Sequence, residues 1–140
     1  MGDPSWEDTA SQQGVGTRLD YVDALVGNVS VPVYFGLIPS SSAVWADRLP
    51  AGAPTADELS WIEEMYFATG ASTVDLAGTL LAHQGEDIYY RTDHHWTSLG
   101  AYYGYTALME AMGMEPVDLA DYERTTVTDQ FYGTIFSASG

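Results

Sequence analysis

The chain has 140 residues, 20 acidic side chains and only four basic ones, so its formal net charge at pH 7 is −16. Without a basic patch it cannot displace counterions from nucleic acid, and the same charge repels anionic membranes and strongly acidic substrates. The length is that of one domain with a real core, and the hydrophobic fraction of 46% is too high for a disordered chain.

The sequence contains no cysteine, which excludes disulfides, thiolate metal sites and cysteine nucleophiles. It has no apolar run of about 18 residues, so we expect no membrane span. The first four residues, Met-Gly-Asp-Pro, lack the basic and apolar regions of a signal peptide. The protein is therefore either cytosolic or exported with its signal already removed.

The first third of the chain predicts a tail, a helix and a strand. Residues 1–14 are polar and rich in glycine, serine and glutamine, which is typical of a flexible tail. Apolar residues then recur at helical spacing from Thr17 to Val26. The apolar, β-branched run 29–38 predicts a strand covered on both faces, as in a parallel sheet. Pro32 places the start of that strand at Val33.

The middle of the chain alternates between helical and strand patterns. Thr55 and Glu58 have the spacing of a capping box, which predicts a helix from there to about Ala68. Shorter elements surround this helix. They are a helical turn within 43–49, a strand at 72–76, a turn around 80–81 and a strand at 88–90.

The last third begins with the best-defined helix. Thr97 or Ser98 can cap it, and Gly113 follows its predicted last residue, Met112. Small residues recur along one face of this helix, which indicates close packing against a sheet or another helix. They are Gly100, Gly104, Ala107 and Ala111. Beyond the helix, residues 125–127 and 134–136 are candidates for short strands.

Strands that alternate with helices predict an α/β fold. Ligands of such folds bind beyond the carboxyl ends of the strands. The segment from Asp93 to Trp96 follows the predicted strand at 88–90 directly, and so it occupies such a position.

This segment also has the residue types of a site that moves protons. On an extended chain, residues two apart share a face, so Asp93 and His95 can meet while His94 points elsewhere. A carboxylate that accepts from one imidazole nitrogen orients the ring, and the other nitrogen can then take a proton from a hydroxyl. Trp96 either forms an apolar wall beside this pair or belongs to the core.

Two alternatives concern the neighbours of the pair. By the same alternation Tyr89 and Arg91 share a face with Asp93. Arg91 therefore binds a substrate oxygen or lowers the pKa of Asp93, or else it makes a structural ion pair. Asp93, His94 and His95, with His83, could instead hold a metal ion. Adjacent histidines are poor geometry for one ion, so we expect no metal and no cofactor. Glycosidase chemistry needs a pair of carboxylates, but with 20 acidic residues any two could be chosen, so the sequence gives no signal for it.

The pattern Tyr-x-x-Thr-Asp-His-His-Trp-Thr-x-x-Gly-Ala, which begins at Tyr89, resembles the signature of the bacterial DHHW proteins. These are similar to the alginate-acetylation proteins of the SGNH hydrolase superfamily. The resemblance is strongest over 88–105 and weaker over 31–50, 74–76 and 131–134. It implies a partial, flavodoxin-like, three-layer α/β fold with a short, mainly parallel sheet. Residues 15–140 would be the N-terminal part of such a domain.

The resemblance also implies roles for residues. Asp93 and His95 match the family's catalytic acid and base, and His94 matches a variable position. The family's nucleophilic serine lies in a later Asp-Ser block, which this sequence does not reach. Other serines in the chain are alternatives, namely Ser40, Ser41, Ser42, Ser137 and Ser139. Four neighbours of the pair are predicted to bind substrate, namely Tyr89, Arg91, His94 and Trp96.

The function implied is an exported, cell-envelope esterase or O-acetyltransferase that acts on acyl groups of a glycan. A non-catalytic module that uses the same site to bind carbohydrate or a partner protein is the alternative. The partial sheet would have an uncovered edge, so we also expect a homodimer that pairs through it.

Overall fold

Short strands and helices alternate along the chain in the computed structural model, which describes residues 9–139. The helices are α1 (Thr9–Asn28), α2 (Ser41–Val44), α3 (Glu58–Ala68), α4 (Leu76–Ala82), α5 (Ser98–Ala111) and α6 (Thr134–Ser139). The strands are β1 (Tyr34–Gly36) and β2 (Ser72–Val74), and 3-10 turns lie at Ala46–Arg48 and Leu119–Asp121. No helix within the described range is both long and apolar enough to cross a membrane.

The two strands form a parallel pair in which Tyr34 lies opposite Ser72 and Gly36 opposite Val74. Parallel neighbours need a crossover connection, and α2 and α3 provide it here. The predicted α/β class and parallel sheet are therefore confirmed. Within residues 9–139 each strand has one edge without a strand partner. Dimerisation through such an edge stays a prediction.

Helices cover both faces of this small sheet. On one face Tyr34 and Val74 pack with Leu76 and with Ala107 of α5. Phe35 points to the opposite face and meets the ring of Tyr66 on α3, with ring centroids 5.9 Å apart. The Tyr66 hydroxyl also accepts from Leu37 N and donates to Val74 O, both at 2.7 Å. The arrangement is thus the predicted three layers of helix, sheet and helix.

A second cluster of buried residues lies beneath the segment that carries Asp93. Val44, Leu80, Ile88 and Tyr89 form its centre, and partly buried side chains of α5 and Trp96 pack around it. The Tyr89 hydroxyl donates to the carbonyl of Pro39, which follows β1. This bond ties the Asp93 segment to the end of the sheet.

The caps of two helices can be compared with the sequence. Thr97 caps α5 as predicted, since its hydroxyl accepts from Gly100 N at 3.2 Å. The predicted capping box at Thr55 is wrong. Asp57 caps α3 by accepting from Ser60 N, while both carboxylate oxygens of Glu58 accept bonds from Ser40. The carboxylate is used in a tertiary contact that local spacing could not reveal.

Other boundaries also differ from the prediction. α1 begins at Thr9, so residues 9–14 of the predicted tail are helical, and residues 1–8 lie outside the described range. Asp23 anchors this helix by accepting from Thr69 Oγ1 and Gly70 N. The predicted strands at 125–127 and 134–136 are wrong, because the former is irregular and the latter begins α6.

Gly100 allows α5 to lie against the strand-like segment at Ile88. A Cβ atom at Gly100 would lie closer than 3.0 Å to the carbonyl oxygen of Ile88, which is backbone and cannot move cheaply. That same oxygen accepts the bond from Thr97 N at 2.9 Å.

We therefore expect Gly100→Ala to lower the free energy of unfolding by about 1–3 kcal/mol, measured by urea denaturation. The control is Gly16→Ala in α1, where a Cβ atom meets nothing within 4 Å. Helix propensity alone should stabilise that variant by up to about 1 kcal/mol. Similar changes in the two variants would contradict the close contact at Gly100.

Candidate active site

A tight antiparallel hairpin presents the Asp-His-His run. Tyr89 and Trp96 form a β-bridge, and Tyr90 N donates to His95 O at 3.2 Å. Thr97 N closes the base of the hairpin by donating to Ile88 O. Because buried Ile88 and Tyr89 hold one arm in the core, the tip that carries Asp93 has a defined position.

Asp93 and His95 form a carboxylate–imidazole pair. His95 Nδ1 lies 2.6 Å from Asp93 Oδ1, and His95 N also donates to Oδ1 at 2.9 Å. Asp93 is only 6% exposed, whereas 64% of the His95 side chain is exposed. Nε2 of His95 has no hydrogen-bond partner among the described residues, so it faces solvent as an available proton acceptor. The predicted pair is thus brought together in the geometry of a base and its orienting acid.

Thr134 holds the other oxygen of the carboxylate. Its backbone N–H donates to Asp93 Oδ2 at 2.9 Å and its hydroxyl donates to the same atom at 3.1 Å. The carbonyl of the neighbouring Thr92 accepts from the N–H groups of Ile135 and Phe136. The segment at 133–136 therefore wraps around Asp93 from a position about 40 residues further along the chain.

Gly133 makes this close approach possible. A Cβ atom there would lie closer than 3.0 Å to Cβ and Oδ2 of Asp93 and to the carbonyl of Thr92. Gly133 N also donates to Thr92 Oγ1 at 3.1 Å. A larger residue would move Thr134 away from the carboxylate.

These hydrogen bonds hold the pKa of Asp93 well below its ordinary value. The largest contribution is the backbone N–H of Thr134, followed by the backbone N–H of His95. Burial acts in the opposite direction but is outweighed. Asp93 is therefore ionised at neutral pH, as a group that stabilises a protonated His95 must be.

Strand alternation predicted that His94 points away from the pair, but in the structure it lies beside it. Its Nδ1 lies 2.8 Å from Thr134 Oγ1, and the centroids of the His94 and His95 rings are 3.9 Å apart. The threonine hydroxyl has one proton, which it donates to Asp93, so at His94 it must accept. His94 Nδ1 therefore carries a hydrogen, and His94 helps to direct the Thr134 hydroxyl at the carboxylate.

Two of the predicted substrate-binding residues make contacts elsewhere in the structure, and their role in binding stays a prediction. The Arg91 guanidinium lies 3.8 Å from a carboxylate oxygen of Asp87, and 88% of its side chain is exposed. It neither contacts the pair nor contributes to the lowered pKa of Asp93. Tyr89 is 3% exposed and its hydroxyl donates to the carbonyl of Pro39, so its side chain packs within the core.

Trp96 packs between the hairpin and the core. It is partly buried and packs against the cluster of Val44, Leu80 and Ile88, and its ring covers Gly104 of α5. Of the two alternatives considered for Trp96, the structure favours a place at the edge of the core.

The three residues of the Asp-His-His run are also close enough together to hold a metal ion. Asp93, His94 and His95 each offer a ligand atom within 4.8 Å of the others. Both carboxylate oxygens and both Nδ1 atoms already take part in hydrogen bonds, so an ion would have to displace them or bind Nε2 atoms. His83 is not part of this group, since it bonds to Glu86 and stacks on Tyr103. The absence of a metal stays a prediction.

Sequence reasoning assigned no role to Thr134, Gly133 and Thr92. A signal for them was present in the run Phe131-Tyr132-Gly133-Thr134, which matched the resemblance noted above but suggested a strand. Nothing in local spacing connects this run with Asp93.

A lowered pKa in the folded state makes a testable contribution to stability. It is fully present above the ordinary Asp pKa of about 3.9 and is lost as the pH falls toward the folded value. We expect Asp93→Asn to lower the free energy of unfolding at neutral pH, with a deficit that shrinks below about pH 4. Urea denaturation across this range measures it, with exposed Asp129→Asn as the control. A deficit that does not depend on pH would contradict the ionic role.

The Thr134 hydroxyl should contribute separately from its backbone N–H. Thr134→Val keeps the N–H and shape but removes the hydroxyl, so we expect a loss of about 1 kcal/mol in the free energy of unfolding. Thr134→Ser keeps the hydroxyl and should lie within about 0.5 kcal/mol of the parent chain. Equal losses in the two variants, measured by urea denaturation, would rule out the hydroxyl as the cause.

The match to a known protein family includes all residues of this site. The family model described as DHHW protein matches residues 63–139, which is more than half of the chain and includes both Asp93 and Thr134. Curated proteins gave no match.

Solved structures share the fold. A DHHW family protein from Eubacterium siraeum is 29% identical with a TM-score of 0.80, over 89% of this chain and 42% of that one. The O-acetyltransferase domain of Pseudomonas putida AlgJ is 21% identical with a TM-score of 0.63, over 74% of this chain and 40% of that one. Bacillus cereus PatB1 is 25% identical with a TM-score of 0.59, over 81% and 41%.

These likenesses confirm the predicted α/β fold. The chain spans about 40% of the length of each of these proteins.

Proposed function

Because the chain belongs to the DHHW protein family, as its motif predicted, we propose that Asp93 and His95 are the orienting acid and the general base of an acyl-transfer site. The observation that carries this proposal is the 2.6 Å contact between a buried, ionised Asp93 and the Nδ1 atom of an exposed His95. The O-acetyltransferase domain of AlgJ, which has the same fold, supports acyl transfer as the reaction class.

The proposed reaction follows from which nitrogen is free. Nε2 of His95 takes the proton of a serine hydroxyl as the serine oxygen attacks an acyl carbonyl. Asp93 stabilises the imidazolium that forms. The proton then passes from Nε2 to the oxygen of the leaving alcohol, and an acyl-serine remains. In the second half, water or a glycan hydroxyl gives its proton to Nε2 as its oxygen bonds to the acyl carbon. The bond between the acyl carbon and the serine oxygen then breaks, and Nε2 returns the proton to that serine oxygen.

None of the hydroxyls in the described part of the chain bonds to His95. Ser137 donates to Gly133 O at 3.2 Å, Ser139 donates to Phe136 O at 2.9 Å, and Ser40 bonds to Glu58. We therefore propose a nucleophile from outside residues 1–140, as the Asp-Ser block of the resemblance implies. The similar proteins are more than twice as long as the part that this chain matches, which covers about 40% of each. Their length leaves room for a serine block outside the matched part.

We propose a cell-envelope glycan as the substrate and an extracellular location for the site. The likeness to a bacterial O-acetyltransferase domain supports this assignment. The net charge of −16 favours an uncharged glycan, because a polyanion would be repelled at long range.

The test is turnover of p-nitrophenyl acetate by the complete product of the gene and by this chain alone. In the complete product we expect His95→Ala to lower kcat/KM by at least about 10²-fold, the usual contribution of a general base. His83→Ala is the matched control, since His83 lies outside the site and bonds to Glu86. Labelling with a serine-reactive fluorophosphonate, followed by peptide mapping, identifies the nucleophile.

Two results would contradict the proposal. Turnover that survives His95→Ala would remove the base, and equal losses in the His83 and His95 variants would indicate a general structural effect. If neither protein turns over the ester, the non-catalytic carbohydrate-binding module becomes the better reading. Labelling within this chain alone would place the nucleophile among its own serines.

A further inference from the structure

A cavity of about 770 Å³ lies beside α5 and is separate from Asp93, His95 and Thr134. One wall is formed by Ser98, Leu99 and tyrosines of α5, and the other by residues 119–126 of the segment that follows this helix. The volume is in the range of natural binding sites for small molecules, roughly 300–1,000 Å³.

The segment that lines one side of the cavity is held in place by two tyrosines of the opposite side. The Tyr102 hydroxyl donates to Val117 O at 3.0 Å, and the Tyr105 hydroxyl accepts from Val117 N at 3.1 Å. Between α5 and α6 the chain is irregular except for one 3-10 turn. Connections longer than about 12–15 residues without regular structure are uncommon in compact domains and are usually functional when ordered.

The lining combines aromatic rings with hydrogen-bonding groups. Tyr122 makes a T-shaped contact with Tyr102, with ring centroids 6.1 Å apart and ring planes at 73°. Glu123, Arg124 and nearby serine and threonine hydroxyls provide donors and acceptors around these rings. A pyranose ring has the complementary chemistry, since its C–H faces are apolar and its edge carries hydroxyls. Tyrosine suits such a ligand because one end of it is apolar and the other polar.

The charges around the cavity favour an uncharged sugar. Arg124 is one of four basic residues in the sequence, and it has no hydrogen-bond partner among the described residues. The positive charge of Arg124 is balanced by the carboxylates of Glu123 and Glu86. The pKa of Glu86 is lowered first by hydrogen bonds from Tyr103 and His83, and also by the charge of Arg124. The cavity therefore lacks the excess of positive charge that a polyanionic chain would need in a protein of charge −16.

The cavity also lies close to the proposed active site. Ser98 is three residues beyond His95, so their Cα atoms are separated by at most about 11 Å. A ligand that contacts both Ser98 and His95 therefore has to span only about this distance.

We propose that this cavity binds an uncharged pyranose segment of the glycan whose acyl groups are transferred at Asp93 and His95. The proposal rests on the function proposed above for the choice of glycan as ligand. It assigns Tyr122 as the ring on which the sugar stacks, and Arg124 and Glu123 as groups that bond to its hydroxyls.

Tyr122 is the residue to change, because Tyr102 and Tyr105 also hold the backbone of the connecting segment. Binding of chitotetraose and of tetragalacturonate to the 140-residue chain is measured by isothermal titration calorimetry. We expect the uncharged oligosaccharide to bind at least about tenfold more tightly, and Tyr122→Ala to raise its Kd about tenfold. Tyr122→Phe keeps the ring and should stay within about threefold of the parent. The control is Tyr21→Ala, an exposed tyrosine on α1.

Several results would overturn the assignment. They are no binding of either oligosaccharide at millimolar concentration, a preference for tetragalacturonate, or equal Kd values for the Tyr122→Ala and Tyr21→Ala variants. Circular dichroism establishes that the Tyr122 variants are folded, and Tyr122→Phe provides the test if the alanine variant is not.

This measurement separates the cavity from the proposed catalysis. Binding needs no turnover, so the Kd for chitotetraose is obtained independently of the ester assay. Tyr122-dependent binding in a protein without ester turnover would reject the catalytic proposal and keep the cavity. Turnover that depends on His95, without chitotetraose binding, would do the reverse.

Discussion

The site depends on one buried carboxylate. Asp93 accepts four hydrogen bonds, two from His95 and two from Thr134. An ionised carboxylate offers about four lone-pair sites, so its capacity is filled without solvent. A buried charge left without such partners would be costly, and the two segments that supply them must therefore meet at this point. The hairpin at 88–97 and the start of α6 are thus fixed with respect to each other by Asp93.

The same bonds that make this burial possible also prepare the pair for chemistry. Keeping Asp93 ionised fixes the hydrogen of His95 on Nδ1 and leaves Nε2 free at the surface. Because Thr134 occupies Oδ2, the carboxylate cannot rotate away from His95. Stability and the proposed catalysis therefore rest on the same contacts here. Nearby, α5 connects this pair with the tyrosine-lined cavity, since its first turn follows the hairpin and its outer face forms the wall.

The sequence predicted the Asp93–His95 contact correctly but for a different geometric reason. Strand alternation would place them on one face and send His94 to the other. In the structure the hairpin tip bends, and Asp93 instead accepts from the backbone N–H two residues on, as aspartates commonly do in turns. This bend brings His94 beside His95 and leaves Arg91 with Asp87. The parallel strands and helix α5 were predictable because apolar runs, caps and glycines act locally.

What the sequence by itself determined is local: that α3 and α5 are helices, where α5 begins, that the fold is α/β, and which acid and histidine pair within one turn. Each follows from groups a few residues apart, whose geometry the backbone limits. Only the tertiary structure decided that Thr134 and Gly133 complete the site, that Tyr89 is buried and that Glu58 binds Ser40. Those contacts join residues separated by 18 to 50 positions. Their formation depends on how the layers pack, and no local spacing in the sequence records it.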